Sequence, residues 1–392
     1  MVSADPGPAA VGSRLTVRVD ATPLLAPPTG VGVFCRSLLG ALARRGDVSI
    51  EAFAVSWRRR HRLVGALPDG VGSRQRPMPA RPLHALWRRV PGPPVEWFVG
   101  RCDVVHGTNF VVPPTRRAAA VVTVHDLTTL HFPELCDRAT LVYPELIERA
   151  LHRGAWVHTP SSFVAAEVVE AFGVDPARVR AVHSGVPAPP RAAGGPSPVT
   201  LPAGTDRYVL AVGTAEPRKD LPGLVEAFTR LAGEHRDVAL VLTGPVGWGE
   251  RDLAEAVEAS PARSRIVRTG WVDDHRLWAL LRGAAVLAFP SRYEGFGFPP
   301  LQAMAAGVPV VATRAGALPE VLGDGAELVT AGDRDALADA LGAVLASEEH
   351  RRALVARGSA RAAAFSWERC AEGLVGLYCD AAGAGTARGR WR

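Results

Sequence analysis

Along the chain, short apolar runs alternate with longer stretches in which apolar residues return every three or four positions. This is the pattern of strands alternating with amphipathic helices. LTVRVD (15–20) predicts an opening strand, PPTGVG (27–32) a loop, and VFCRSLLGAL a helix with Phe34, Leu38 and Leu42 on one face. EAFAVSW (51–57) predicts a second strand, and the Arg-, Pro- and Gly-rich residues 58–94 a long excursion. CDVVHG (102–107) and AAVVTVHD (119–126) are apolar runs with polar ends, as in buried parallel strands that deliver side chains to a crevice. A helix over about 140–152, the strand AWVHT, a helix opening at Ser161 or Ser162 and the strand VRAVHSG (179–185) follow.

The alternation then stops and restarts. VPAPPRAAGGPSPVTLPAG (186–204) has the composition of a linker. Beyond it, strands are expected at 208–214, 238–244, 265–270, 284–290 and 308–313, and helices at 221–231, 275–282, 300–306, 333–347 and 350–363. SWERCAEGLVGLY (366–378) predicts a last helix outside that rhythm, with a frayed tail after 381. The fold class is therefore α/β, with two βα-rich domains facing across a cleft. The expected division is 1–187, a linker at 188–204, 205–364, a terminal helix at 365–380 and a flexible tail at 381–392.

Composition narrows the function. The chain has 392 residues, more than one core usually serves. It has no apolar run of membrane-spanning length and no basic-then-apolar start, so a cytoplasmic protein without a signal peptide is expected. Cys35, Cys102, Cys136, Cys370 and Cys379 lack ligand-like spacing and fit core thiols in a reducing compartment. The net charge of +6 invites a nucleic-acid reading, but the arginines are scattered and no recognition module accompanies them. Arg58, Arg59, Arg60 and Arg62 could instead meet an anionic membrane from the periphery. No zinc-type or DxD-type pattern stands out, so no metal is expected. Heavy use of Ala, Gly, Pro and Arg suggests a GC-rich bacterial genome.

Candidate chemistry gathers at strand ends. In GTAEPRKD (213–220), Gly213 permits a close turn, and Arg218 and Lys219 stand just before a helix N-terminus. Two cations beside unsatisfied amides suit a diphosphate, although a solvated loop could read the same way. In EGFGFPPLQAMAAG, Gly295 and Gly297 allow a sharp turn of exposed N–H groups, a proline suits the first helical turn, and Glu294 precedes both. That carboxylate suits ligand hydroxyls or a cationic centre, where a plain helix cap would need neither the glycines nor the Arg-Lys loop. His125 and Asp126 end an apolar run on the first domain and are expected in the cleft, with His106 a weaker parallel. Gly30 and Gly32 form a loop able to approach phosphates from that side.

These residues, with TGVGVF, HGTNFVVPP, VTVHDLT, HTPSSFVAAEVVEAFGV, TGWVDD and GALPEVLGDGAELV, resemble the retaining glycosyltransferases of family four, which have the GT-B fold. The resemblance runs from about residue 16 to 380 and looks nearest to mannosyltransferase-like members that use GDP-mannose or a related sugar nucleotide. It implies a first domain on the acceptor side, a second that binds the donor nucleotide, and a last helix crossing back to the first. By the resemblance, Arg218 and Lys219 bind the donor diphosphate as leaving group, Glu294 lies by the transferred sugar, and His125 faces it. Phe296, Gly297 and Phe298 form the turn whose amides touch sugar and phosphate, and Gly30 and Gly32 lie by the diphosphate and acceptor. No cofactor is implied beyond a nucleoside-diphosphate sugar as co-substrate. The partner is an acceptor glycan, lipid-linked sugar or small molecule.

Gln302 departs from the family pattern, which usually has a glutamate there for the nucleotide ribose. Glutamine keeps an acceptor oxygen and loses the charge. It is the one feature favouring a non-catalytic sugar-nucleotide-binding protein or partner subunit. A sugar-nucleotide epimerase would need acid–base residues around the sugar, whereas the Arg-Lys and EGFGFPP elements sit as in a transferase.

Overall fold

The computed structural model describes residues 14–26, 29–138, 140–187 and 199–389, with side chains described to 384. Pro27 and Pro28 of the expected loop, the heart of the linker (188–198) and the last three residues of the tail lie outside the described residues.

Two parallel sheets carry the fold. The first comprises β1 (Leu15–Asp20), β2 (Val48–Phe53), β3 (Gly72–Arg74), β4 (Val104–Gly107), β5 (Ala119–Thr123), β6 (Trp156–Thr159) and β7 (Val179–Ala181). Its order is β3-β2-β1-β4-β5-β6-β7. The second comprises β8 (Arg207–Val212), β9 (Val238–Thr243), β10 (Ile266–Gly270), β11 (Val286–Phe289), β12 (Val310–Thr313) and β13 (Glu327–Val329), in the order β10-β9-β8-β11-β12-β13. Strand order reverses at β1/β4 in one sheet and at β8/β11 in the other, and crevices for ligands open at such points. β9 and β11 are buried at every residue, which explains why their sequences are apolar without alternation.

The helices of eight residues or more are α1 (Gly30–Ala43), α2 (Ala80–Trp87), α3 (Tyr143–His152), α4 (Ser162–Phe172), α5 (Leu221–Glu234), α6 (Glu250–Ala259), α7 (Asp274–Gly283), α8 (Phe298–Ala305), α9 (Arg334–Ala346), α10 (Glu348–Ala363) and α11 (Trp367–Gly389). α4 starts where Ser161 accepts the Val164 N–H and ends on Gly173 in the left-handed conformation. α11 leaves the second sheet and buries Leu374 and Tyr378 in the core of the first, among Val17, Val19 and Phe34.

Several expectations are corrected. Gly30 and Gly32 are the first turn of α1, not a loop, because Thr29 caps the helix by accepting the Gly32 N–H. The second strand begins at Val48 and stops at Phe53, where its pairing with Asp20 of β1 ends. The 58–94 excursion holds β3 and α2. α6 was unforeseen: its apolar stripe is short, with Leu253 buried and Ala256 and Val257 only partly buried beside it. The segment after 381 is helical to Gly389 as a continuation of α11, with Ala381 buried in the core of the first sheet and Ala382 packed against it. Cys35 and Cys370 are core thiols, but Cys379 is exposed.

Candidate active site

The cations come from the crest of β8. Pro217–Lys219 makes a single 3-10 turn, and Asp220 follows in the left-handed region at φ 49°, its carboxylate held by Arg292 at 3.0 Å. The turn brings Arg218 and Lys219 to the crest of β11. There Lys219 Nζ donates to Glu294 Oε1 at 2.6 Å, and Arg218 Nη1 lies 2.9 Å from Oε2. Arg218 also donates to the Tyr293 carbonyl at 2.8 Å, and the Lys219 ammonium lies 4.8 Å from the Phe289 ring centre. The Glu294 side chain is 9% exposed. Burial by itself would raise its carboxyl, but Arg218 and Lys219 outweigh burial and hold it at about 2. Burial pulls the Lys219 ammonium down against the attraction of Glu294. Burial opposes the charge on Arg218 too, yet Glu294, Asp126 and Glu216 hold that charge more firmly than usual. Glu216, 3.4 Å from Arg218, is raised by burial.

After Glu294 the chain turns on Gly297, at φ 103°, into α8. Gly213 lies under the Lys219 stem, at a distance where a Cβ would be 3.5 Å from its Cδ. Phe296 and Phe298 spend their rings on packing: Phe296 meets Phe365 and His183, and Phe298 stacks on Trp367. Phe296 is buried, whereas Phe298 is only half-buried. Gln302 is buried on α8, and its side chain makes no hydrogen bond among the described residues.

The first domain supplies His125, just past the end of β5. Its Nε2–H donates to the Thr108 carbonyl at 2.8 Å, and its ring stands edge-on to Phe34 and Phe110, with centroids 5.2 and 5.6 Å away. Burial lowers its pKa, so the ring is a neutral imidazole with Nδ1 as acceptor. A Cβ on Gly295 would fall 1.9 Å from the His125 carbonyl oxygen, so the residue after Glu294 abuts His125 directly. Gly30 faces Phe298, where a Cβ would be 3.7 Å from Cδ2, whereas the nearest groups to a Cβ on Gly32 would be Pro23 and Thr29. His106 is not a cleft residue. It is fully buried between Tyr378 and Thr123, at 2.7 Å from each.

The structure adds contacts across the cleft that sequence reasoning missed. Ser161 Oγ donates to the Gly295 carbonyl at 2.8 Å, and Tyr293 donates to Glu167 while accepting the Leu127 N–H at 3.1 Å. Glu320 accepts the N–H groups of Ser162 and Phe163 at 2.8 and 2.9 Å and sits 2.8 Å from His183. The partners here are mostly backbone groups, which carry no residue signature. Among the described residues, no group of three or more His, Cys, Asp or Glu could hold a metal ion. No helix among them is long and apolar enough to cross a membrane.

Comparison with known proteins agrees with this geometry. Residues 28–188 match the family described as Glycosyltransferase Family 4, and residues 197–361 that described as Glycosyl transferases group 1. O-antigen chain mannosyltransferase B of Escherichia coli is 33% identical over 284 residues, covering 70% of this chain and 74% of that protein. D-inositol 3-phosphate glycosyltransferase of Actinosynnema mirum is 31% identical over 408 residues, covering 93% and 96%. Among solved structures, sucrose-phosphate synthase from Thermosynechococcus elongatus superposes with a TM-score of 0.70 at 19% identity, covering 95% of this chain and 100% of that one. This last likeness shows the two-domain GT-B fold.

Proposed function

The chain belongs to the glycosyltransferases built from a family 4 unit and a group 1 unit, and we propose that it is a retaining hexosyltransferase. The donor is a nucleoside-diphosphate hexose, with mannose favoured by the name of the Escherichia coli relative. The acceptor is a hydroxyl of a glycan, lipid-linked sugar or small molecule. The observation that carries the reading is the pairing of Arg218 and Lys219 with Glu294 beside His125. Two buried cations at a strand crest, sharing Glu294 at close range with only the more distant Glu216 beside Arg218, suit a second anion. A donor diphosphate supplies that anion and adds its oxygens to those of Glu294.

In this reading the donor lies on the second domain, with its ribose toward Gln302 and its diphosphate on Arg218 and Lys219. The bond from the sugar anomeric carbon to the diphosphate oxygen lengthens first, and the charge gathering on that oxygen meets the two cations in a site shielded from water. The acceptor hydroxyl attacks from the face that the diphosphate leaves, which retains configuration, and its proton passes to the departing phosphate oxygen. Glu294 is engaged at both oxygens, so its work is to hold the cations and sugar hydroxyls rather than to form a covalent intermediate. His125 presents Nδ1 on the opposite wall. The cytoplasm is the proposed location, since sugar nucleotides are made there.

The test is a donor panel. GDP-, UDP-, ADP- and TDP-hexoses are each offered to the pure protein, with and without a crude glycan and lipid extract. Binding is followed by calorimetry and turnover by nucleoside diphosphate release. The reading expects one nucleotide to bind in the micromolar range and to be released faster with extract. Binding by none of them would overturn it.

A further inference from the structure

Among the described residues, two non-glycine residues have positive φ, and they flank the site from opposite domains. Asp220 turns the cations toward Glu294. The other, Phe110 at φ 58°, packs its ring against His125. It is the centre of a three-residue turn closed by Val111 N–H to the Asn109 carbonyl at 2.7 Å, a geometry that is rare and strained for an L-residue.

The surroundings enforce that turn. Phe110 N–H donates to the Thr123 carbonyl at 2.9 Å, and its ring stacks on Tyr143 with centroids 4.6 Å apart. Gly107 makes room, because a Cβ there would fall 1.9 Å from the Val111 carbonyl oxygen. The turn acts on one neighbour in two ways. Phe110 presents its ring to one side of His125 while Phe34 stands on another, and Thr108, two residues back, supplies the carbonyl that accepts the His125 Nε2–H. Thr108 is itself fixed by donating Oγ1–H to the Asp20 carbonyl at 2.7 Å.

We infer that Phe110 is a positioning residue for His125: its left-handed turn holds the imidazole in one orientation and one tautomer, protonated on Nε2, with Nδ1 left as acceptor for the substrate. The inference deepens the proposed function and rests on it for the identity of that substrate. An unstrained loop could pack a phenylalanine in the core as well. It would not place this ring and the Thr108 carbonyl on the same imidazole.

The test compares Phe110→Ala with Phe110→Gly. Both remove the ring, but glycine adopts positive φ freely, so Phe110→Gly should melt at a higher temperature than Phe110→Ala. If the ring positions His125, both should lose kcat at least tenfold, with donor KM within twofold of the parent. The ring nitrogen NMR shifts of His125 should move from a single Nε2–H tautomer toward a mixture. Phe110→Leu, which keeps most of the volume, covers failure of the smaller replacements to fold and should show the same changes with a smaller loss of stability. A kcat that merely tracks melting temperature across the series, or an unchanged His125 tautomer, would overturn the inference. The NMR reading needs no turnover, so a parent protein inactive with every sugar nucleotide would count against the transferase reading and leave this one standing or falling on its own data.

Discussion

Removing the Glu294 carboxylate leaves Arg218 and Lys219 buried without their shared counter-charge, and breaking a buried pair in this way costs about 3–5 kcal/mol. The diphosphate of a bound donor would restore the missing charge. Glu294→Gln should therefore melt well below the parent when empty and gain more on addition of nucleoside diphosphate than the parent gains. Equal ligand-induced shifts in differential scanning fluorimetry would show that the anion does not meet these cations. Lys219→Ala should lower turnover at least tenfold at saturating donor with the fold intact by circular dichroism. Gln302→Glu restores a charged acceptor, and the difference between charged and neutral hydrogen bonds is about 1 kcal/mol, so donor KM should fall about fivefold while kcat barely changes. A change confined to kcat would move residue 302 toward the reacting bond. The sequence showed the Arg218–Lys219 pair and Glu294 because charge beside glycine turns is legible one residue at a time. It could not show Asp220, whose importance lies in a φ angle, or that the rings of Phe296 and Phe298 serve packing.

At the scale of elements, legibility followed burial. β9 and β11 are apolar throughout because helices cover both faces, and both stood out in the sequence at nearly their observed bounds. α6 and β13 lie where few apolar residues are needed, and neither was foreseen. The N-terminus of α4 was legible only in part, for a physical reason. Ser161 marks that N-terminus in sequence, but the Ser162 and Phe163 N–H groups are satisfied by Glu320, 158 residues away from the first of them. A cap contributed from the opposite domain ties the helix to a closed cleft, and loss of a capping side chain typically costs about 1 kcal/mol. Glu320→Ala should thus lower stability only slightly while shifting the two domains toward a more open arrangement. Small-angle scattering should show a larger radius of gyration for the variant without ligand, and a radius equal to that of the parent would confine Glu320 to a local role.

For the molecule as a whole, the terminal helix α11 decides how the two sheets are joined, and a buried polar chain fastens its middle. Tyr378 OH donates to His106 Nδ1 at 2.7 Å, His106 Nε2–H to Thr123 Oγ1 at 2.7 Å, Thr123 to His158 Nδ1 at 2.9 Å, and His158 Nε2–H to the Val182 carbonyl at 3.0 Å. Every donor finds an acceptor only if both imidazoles are neutral. Burial enforces this, lowering His158 to about 3 and His106 well below its ordinary value. In the unfolded chain both return to about 6.5. Between those values the unfolded state binds protons that the folded state refuses, so the contribution is complete above pH 6.5 and is lost as pH falls toward 3. The slope approaches about 1.4 kcal/mol per pH unit for each histidine. Denaturant unfolding at pH 7.5 and pH 5.0, above the range where most carboxylates titrate, should show a clear loss of stability at the lower value. Tyr378→Phe leaves His106 Nδ1 buried without a donor and should cost about 1–3 kcal/mol at pH 7.5. With its tyrosine hydrogen bond gone, His106 has less to lose on protonation, so the variant should also be less sensitive to acid than the parent. Equal stability of the parent at the two pH values would mean that the histidine chain relaxes on protonation and does not hold α11 in place.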